Sequence, residues 1–155
     1  MHDRGFALYN INTKKQNMAL YHFTDRRNTQ SIKRHGLLSW PLVFRYDIAA
    51  VLSSNELSRR LDYEKGLGEY VRLALRPKHK MLNYVLRKGR IQSHVWLKID
   101  DSILNSNRVL YSDTNATNRR ATINRDWRNA FEYGDNQAEI LIPERIHPSF
   151  ITFLN

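Results

Sequence analysis

Apolar and polar positions divide this chain into short elements separated by polar turns. Residues 18–23 (MALYHF) form an apolar and aromatic run that predicts a buried strand, with Tyr21 and Phe23 facing the core and His22 and Thr24 sharing the other face. The chain then turns polar, and Asn28 or Thr29 is placed to cap a short helix through Ile32 that Gly36 ends. Leu37 and Leu38 return to the core. Between Asp47 and Leu61, the positions Ile48, Val51, Leu52, Leu57 and Leu61 recur at roughly helical spacing, predicting one helix capped by Asp47 and closed by Gly66 and Gly68. Residues 70–75 (YVRLAL) read as a strand with apolar Val71, Leu73 and Leu75 on one face. A second helix is predicted over 81–88, closed by Gly89, with Arg87 and Lys88 in the turn where the helix dipole favours cations. Residues 94–99 alternate Val95, Leu97 and Ile99 against His94, Trp96 and Lys98. Further strands are expected at 109–111, 137–142 and 150–154, whereas 117–128 is polar, basic and weakly periodic. Five or six strands and three helices without a β-α-β rhythm predict an α+β domain.

Length and composition narrow the class. At 155 residues the chain is expected to be a single domain, 1–155, with one sizeable core. Hydrophobic residues make up 41% and charged residues 26%, which excludes disorder and fibrous classes. The net charge of +10 points to a polyanionic partner, above all nucleic acid. With no cysteine there is no disulfide, no thiolate nucleophile and no Cys-based zinc site. The apolar runs are far too short to span a bilayer, and the opening residues lack the basic-then-apolar order of a secretory signal. A cytoplasmic protein without a membrane partner is therefore expected.

Candidate chemistry is concentrated in two places. The six histidines show neither HExxH nor any other paired spacing, so no metal site is expected, and GxGxxG, Walker A and GxSxG are all absent. The first place is the strand carrying His22 and Thr24, where the histidine also fits a satisfied core residue. The second is Gln137-Ala138-Glu139 entering the run Ile140-Leu141-Ile142, with Gln137 and Glu139 on one face. A carboxylate in an apolar strand is costly unless paired or used, so Glu139 is either a salt-bridge partner or a functional acid.

Together these pieces resemble the DarT-type DNA ADP-ribosyltransferases. The resemblance rests on Tyr21-His22-Phe23-Thr24, Asn28, Ser31-Ile32 and His35-Gly36-Leu37-Leu38-Ser39, continuing through Tyr70-Val71-Arg72-Leu73 and Arg76-Pro77-Lys78-His79-Lys80-Met81. It ends with Tyr111-Ser112-Asp113-Thr114-Asn115-Ala116 and Gln137-Ala138-Glu139-Ile140-Leu141-Ile142-Pro143, so that it covers about residues 20–152. It implies an ADP-ribosyltransferase-like split β-sheet with flanking helices and a cleft for NAD, used as a co-substrate without a metal. By position, His22, Thr24, Asn28, Leu38 and Ser39 would line the NAD pocket. Glu139 would be the catalytic glutamate, and Arg59 or Arg60 the catalytic arginine. The family further implies transfer of ADP-ribose to a base of single-stranded DNA, by a toxin countered by a macrodomain antitoxin, and a monomer is expected.

The basic clusters fit such a substrate. Arg76, Lys78, His79 and Lys80 lie together, as do Arg119 and Arg120, and each cluster suits a backbone-tracking groove or a solvated charged face. Two alternatives stay open on the sequence: the same transfer onto RNA or protein, and a basic nucleic-acid-binding module without catalysis.

Overall fold

The structure is a computed structural model that describes residues 19–52, 56–77 and 80–154. Its strands are β1 (Leu20–Asp25), β2 (Leu37–Leu38), β3 (Tyr70–Ala74), β4 (His94–Ile99), β5 (Leu110–Ser112), β6 (Ile123–Asn124), β7 (Glu139–Pro143), β8 (Arg145–Ile146) and β9 (Ile151–Phe153). Its helices are α1 (Thr29–His35), α2 (Trp40–Arg45), α3 (Glu56–Glu64), α4 (Lys80–Arg87) and α5 (Arg128–Phe131), with single 3-10 turns at Arg26–Asn28, Asp101–Asn105 and Pro148–Phe150.

Seven strands form one antiparallel sheet in the order β6-β5-β7-β3-β1-β4-β9, and β2 and β8 form a separate two-stranded piece. Alternation sets the register. Val71 and Leu73 of β3 and Val95, Leu97 and Ile99 of β4 are buried, while their neighbours are more exposed. β4 has the boundaries that its alternating sequence predicts. Leu20, Leu73, Leu97, Ile99, Leu104, Ile140 and Ile146 form the centre of the core. Burying each large aliphatic side chain contributes roughly 1.5–3 kcal/mol before the entropy of ordering is subtracted.

The sheet is parted in the middle. β1 pairs with β4 along its whole length and β3 pairs with β7 along its whole length, but β1 and β3 meet only at Tyr21 opposite Ala74. Beyond that point the two halves diverge, which is the split sheet expected from the sequence.

Several local expectations change. In β1 the buried apolar residue is Leu20, on the face of His22 and Thr24, whereas Tyr21 and Phe23 are half-buried and meet the ring of Trp96 edge-on. Asp47 begins no helix: it has φ 50°, residues 48–52 are irregular, and α3 starts only at Glu56. The apolar residues Ile48, Val51 and Leu52 instead face the cleft described below, which explains why their spacing imitates a helix. The helix α2, with Pro41 in its first turn, is shorter than the window over which periodicity is legible. Residues 117–128 hold the short strand β6, and Gln137 precedes β7 in a turn, its N–H donating to Asp135, so it shares no strand face with Glu139.

Gly36 joins α1 to β2 with φ 81°, and a Cβ there would lie 2.0 Å from the carbonyl oxygen of Ile146. Only glycine satisfies both demands. This close approach pins β2 to β8, and Ser39 N–H extends the pairing by donating to the carbonyl of Glu144 at 2.8 Å.

Candidate active site

The parting of β1 from β3 opens a cleft of about 260 Å³. β1 supplies residues 21–25 to its wall, β3 supplies Tyr70, Val71, Arg72 and Ala74, and β7 supplies Glu139. Leu37, Leu38, Ser39, Trp40 and Val43 close another side, and Ile48, Ala50, Val51 and Leu52 cover it. The lining is mostly apolar with a few convergent polar groups, the usual composition of a small-molecule site.

His22 bridges the parting strands. Its Nδ1 lies 2.9 Å from the main-chain carbonyl of Arg72. A carbonyl only accepts, so Nδ1 carries the proton and Nε2 is left as an acceptor. Burial pushes the His22 pKa below its ordinary 6.5, although the Arg72 carbonyl and the charge of Glu139 pull the other way. The ring is therefore neutral at pH 7.

Glu139 and Arg72 meet across β3 and β7. Arg72 pairs with Leu141 and Ala74 with Glu139, so Arg72 and Glu139 are diagonal neighbours on one face. The guanidinium grips the carboxylate with two donors, Nε to Oε2 at 3.0 Å and Nη2 to Oε1. Oε1 also accepts the N–H of Ala116 at 2.7 Å. On its far side Arg72 donates to Asp62 of α3 at 3.2 Å, to Thr117 Oγ1 at 2.8 Å and to Asn115 Oδ1 at 2.8 Å. Burial alone would lower the Arg72 pKa, but Glu139 and Asp62 outweigh it and raise the value above that of free arginine. Lys65 completes the arrangement by donating to the carbonyls of Ala116 and Asn118, fixing the turn that touches Glu139.

Of the residues singled out in the sequence, His22, Thr24, Asn28, Leu38, Ser39 and Glu139 all line this one cleft. Asn28 lines it with its amide already engaged. Nδ2 donates to Thr24 Oγ1 and to the Val51 carbonyl, and Oδ1 accepts the Val51 N–H, so the side chain fastens the covering segment to β1. Ser39 Oγ and Trp40 Nε1 are buried side-chain atoms without a hydrogen-bond partner.

Arg59 and Arg60 are placed elsewhere. Asp62 is the α3 residue that faces the cleft, which puts residue 60 about 160° round the helix axis. Arg60 is exposed, and the Arg59 guanidinium lies 5.7 Å over the ring of Phe44. The arginine facing Glu139 is Arg72. A charge in the middle of an apolar strand is the signal that would have exposed it, as it did for Glu139. Arg76, Arg119 and Arg120 are exposed, Lys80 begins α4, and Lys78 and His79 lie outside the described residues. Among the described residues no group of His, Asp and Glu is arranged to hold a metal, and no helix is long and apolar enough to cross a membrane.

The fold is similar to that of solved DarT structures. A Thermosipho africanus DarTG structure in complex with ADP-ribose matches it with TM-score 0.72 and 21% identity, over 86% of this chain and 42% of that one. Thermus sp. 2.9 DarT in complex with ADP-ribosylated ssDNA matches with TM-score 0.63 and 17% identity, over 87% of this chain and 79% of that one. The same Thermus protein in complex with NAD+ gives TM-score 0.59 and 18% identity, over 88% and 80%. This chain thus spans less than half the length of the Thermosipho chain. No curated protein sequence matches it significantly. Residues 21–133 match the model of a family described as the ssDNA thymidine ADP-ribosyltransferase, DarT, and the chain belongs to that family.

Proposed function

We propose that this chain is an NAD-dependent ADP-ribosyltransferase that attaches ADP-ribose to the thymine base of single-stranded DNA. The observation that carries this reading is the gathering of His22, Thr24, Leu38, Ser39 and Glu139 into one cleft at the parting of β1 and β3. The lining suits a nicotinamide riboside. Ile32, Leu37 and Val43 offer apolar contact to a flat ring. His22 Nε2 is an acceptor suited to a ribose hydroxyl.

NAD supplies the ADP-ribosyl group, its nicotinamide–ribose bond breaking through an oxocarbenium-like state with nicotinamide as leaving group. Glu139 stabilises positive charge developing on the ribose, and the hydrogen bonds that hold it mean little reorganisation is needed when that charge appears. Both acceptor positions of Oε1 are filled by Arg72 and Ala116, whereas among the described residues Oε2 accepts one bond, from Arg72. Oε2 is thus the oxygen able to accept a ribose hydroxyl or the proton of the acceptor base. In thymidine the ring N–H is N3, so the new bond joins that nitrogen to the ribose and its proton passes to Glu139. A base stacked in a duplex cannot enter such a cleft, which favours an unpaired substrate. Arg119 and Arg120, exposed on the turn that contacts Glu139, suit the phosphates of the strand, and Arg76 extends the cationic surface from the end of β3.

The biological setting we propose is a monomeric cytoplasmic toxin restrained by a macrodomain antitoxin that removes ADP-ribose, the antitoxin being what the family resemblance implies. The test is incubation with NAD and a panel of single-stranded DNA, duplex DNA and RNA oligonucleotides, read by mass. Addition of ADP-ribose to thymidine-containing single strands alone supports the reading, addition to RNA moves the acceptor class, and no addition to any of them refutes it.

A further inference from the structure

We infer that Arg72 is a positioning residue that, braced by Asp62, fixes the plane of the Glu139 carboxylate and turns its Oε2 toward the substrate. The inference deepens the transferase reading above and rests on it for its kinetic arm.

Every N–H of the guanidinium is committed. Nε goes to Glu139, the pair on Nη2 to Glu139 and Asn115, and the pair on Nη1 to Asp62 and Thr117. No donor is left for a pyrophosphate. The usual role of a cleft arginine, a fork on phosphate oxygens, is therefore closed to Arg72 without dismantling the cluster. What the geometry supports is orientation. A bidentate grip fixes the plane of the Glu139 carboxylate, and the Ala116 N–H blocks the remaining position on Oε1. Asp62 in turn holds the other end of the guanidinium, helped by Thr117, whose Oγ1 also donates to Asp62.

The charge count points the same way. Two carboxylates with one guanidinium between them leave the cluster net negative, which favours a cationic transition state. Without the guanidinium, the Glu139 carboxylate loses both its two-pronged grip and the positive charge beside it. The other groups facing Glu139 do not replace that charge. His22 is neutral, Lys65 is spent on the Ala116 and Asn118 carbonyls, and Asn115, Thr117 and Ser112 are uncharged.

The experiment compares Arg72→Met, Arg72→Lys and Asp62→Asn with the parent. Nicotinamide release gives kcat and KM for NAD, and crystal structures of the parent and the variants show the orientation of the Glu139 carboxylate. Arg72→Met is expected to lower kcat about 100-fold with a much smaller change in KM, and to turn the Glu139 carboxylate out of its parent plane. Arg72→Lys restores the charge without the fork, so it should not recover kcat. A role in stability alone moves melting temperature and neither of those readouts. The orientation is independent of turnover, so a parent inactive on DNA would refute the transferase reading while the structures still judged Arg72. Should Arg72→Met not fold, Arg72→Lys decides by the same split. An unmoved Glu139 carboxylate in Arg72→Met, or full kcat in Arg72→Lys, overturns the proposal.

Discussion

The Nδ1–H of His22 donates to the main-chain carbonyl of Arg72 across the point where β1 and β3 separate. A side chain thus replaces the ladder hydrogen bond that the parted strands cannot make. The same contact fixes the imidazole tautomer and ties the wall bearing His22 to the strand whose arginine holds Glu139.

One consequence concerns pH and stability. The folded pKa of His22 lies below 6.5, so the unfolded chain binds the proton more readily. The stability this provides is complete above pH 6.5 and is lost as pH falls from there toward the folded value. Thermal melts from pH 7.5 to 5 should show the parent weakening over that window, and His22→Gln should flatten the dependence. A parent and variant with parallel curves would contradict it.

His22 also bears on ligand binding. His22→Ala removes the acceptor Nε2 and the bridge between the halves, and NAD affinity measured by calorimetry should fall about tenfold or more. Unchanged affinity would remove the histidine from the site.

Asp25 anchors the same strand at its other end. It is 1% exposed, accepts backbone N–H groups from Arg27 and Gln92, and forms a bidentate pair with the Arg27 side chain. Arg27 holds its carboxyl well below the ordinary 3.8, against the opposing effect of burial. The stabilisation is present above pH 3.8 and is lost as the solution becomes more acid than that. Asp25→Ala should cost about 2 kcal/mol or more at pH 7 by denaturant unfolding, because it orphans buried donors.

Gly36 offers a test of the fold around Leu38 and Ser39. Gly36→Ala forces a side chain into the Ile146 carbonyl at positive φ, and should cost about 3 kcal/mol or more or prevent folding. A parent-like melting temperature would show that β2 and β8 are not pinned as described.

The turn bearing Arg119 and Arg120 should matter for the strand rather than for NAD. Replacing both with Glu should weaken binding of single-stranded DNA and reduce the slope of log K against log salt by about 0.7 for each phosphate that is no longer neutralised. NAD affinity should stay at the parent level, and an unchanged salt slope would place the strand elsewhere.

Much of this site is legible in the amino-acid sequence, and the residues explain why. His22 and Glu139 stand out because a polar or charged group in a short apolar strand needs a reason to be there. Leu38 and Ser39 follow from the glycine that ends α1. Arg72 has the same signature as Glu139, but its meaning depends on register: only the antiparallel pairing of β3 with β7 makes residues 72 and 139 diagonal neighbours. Asp62 is invisible for a related reason. Nothing in a helix that also bears Arg59 and Arg60 says which of its charges turns inward, and packing of α3 against the cleft decides it. The apolar positions at 48–52 misled because they cover a pocket from a loop, and a pocket wall needs apolar residues without needing a helix.

The central claim is that this cleft breaks the nicotinamide–ribose bond of NAD with Glu139 as the essential carboxylate. Release of nicotinamide from NAD in the presence of thymidine-containing single-stranded DNA, compared between the parent and Glu139→Gln, tests it most directly. The account predicts release by the parent and a loss of at least about 100-fold in the variant, with both chains melting as folded proteins. Equal rates in the two chains, or no release by either, would contradict it.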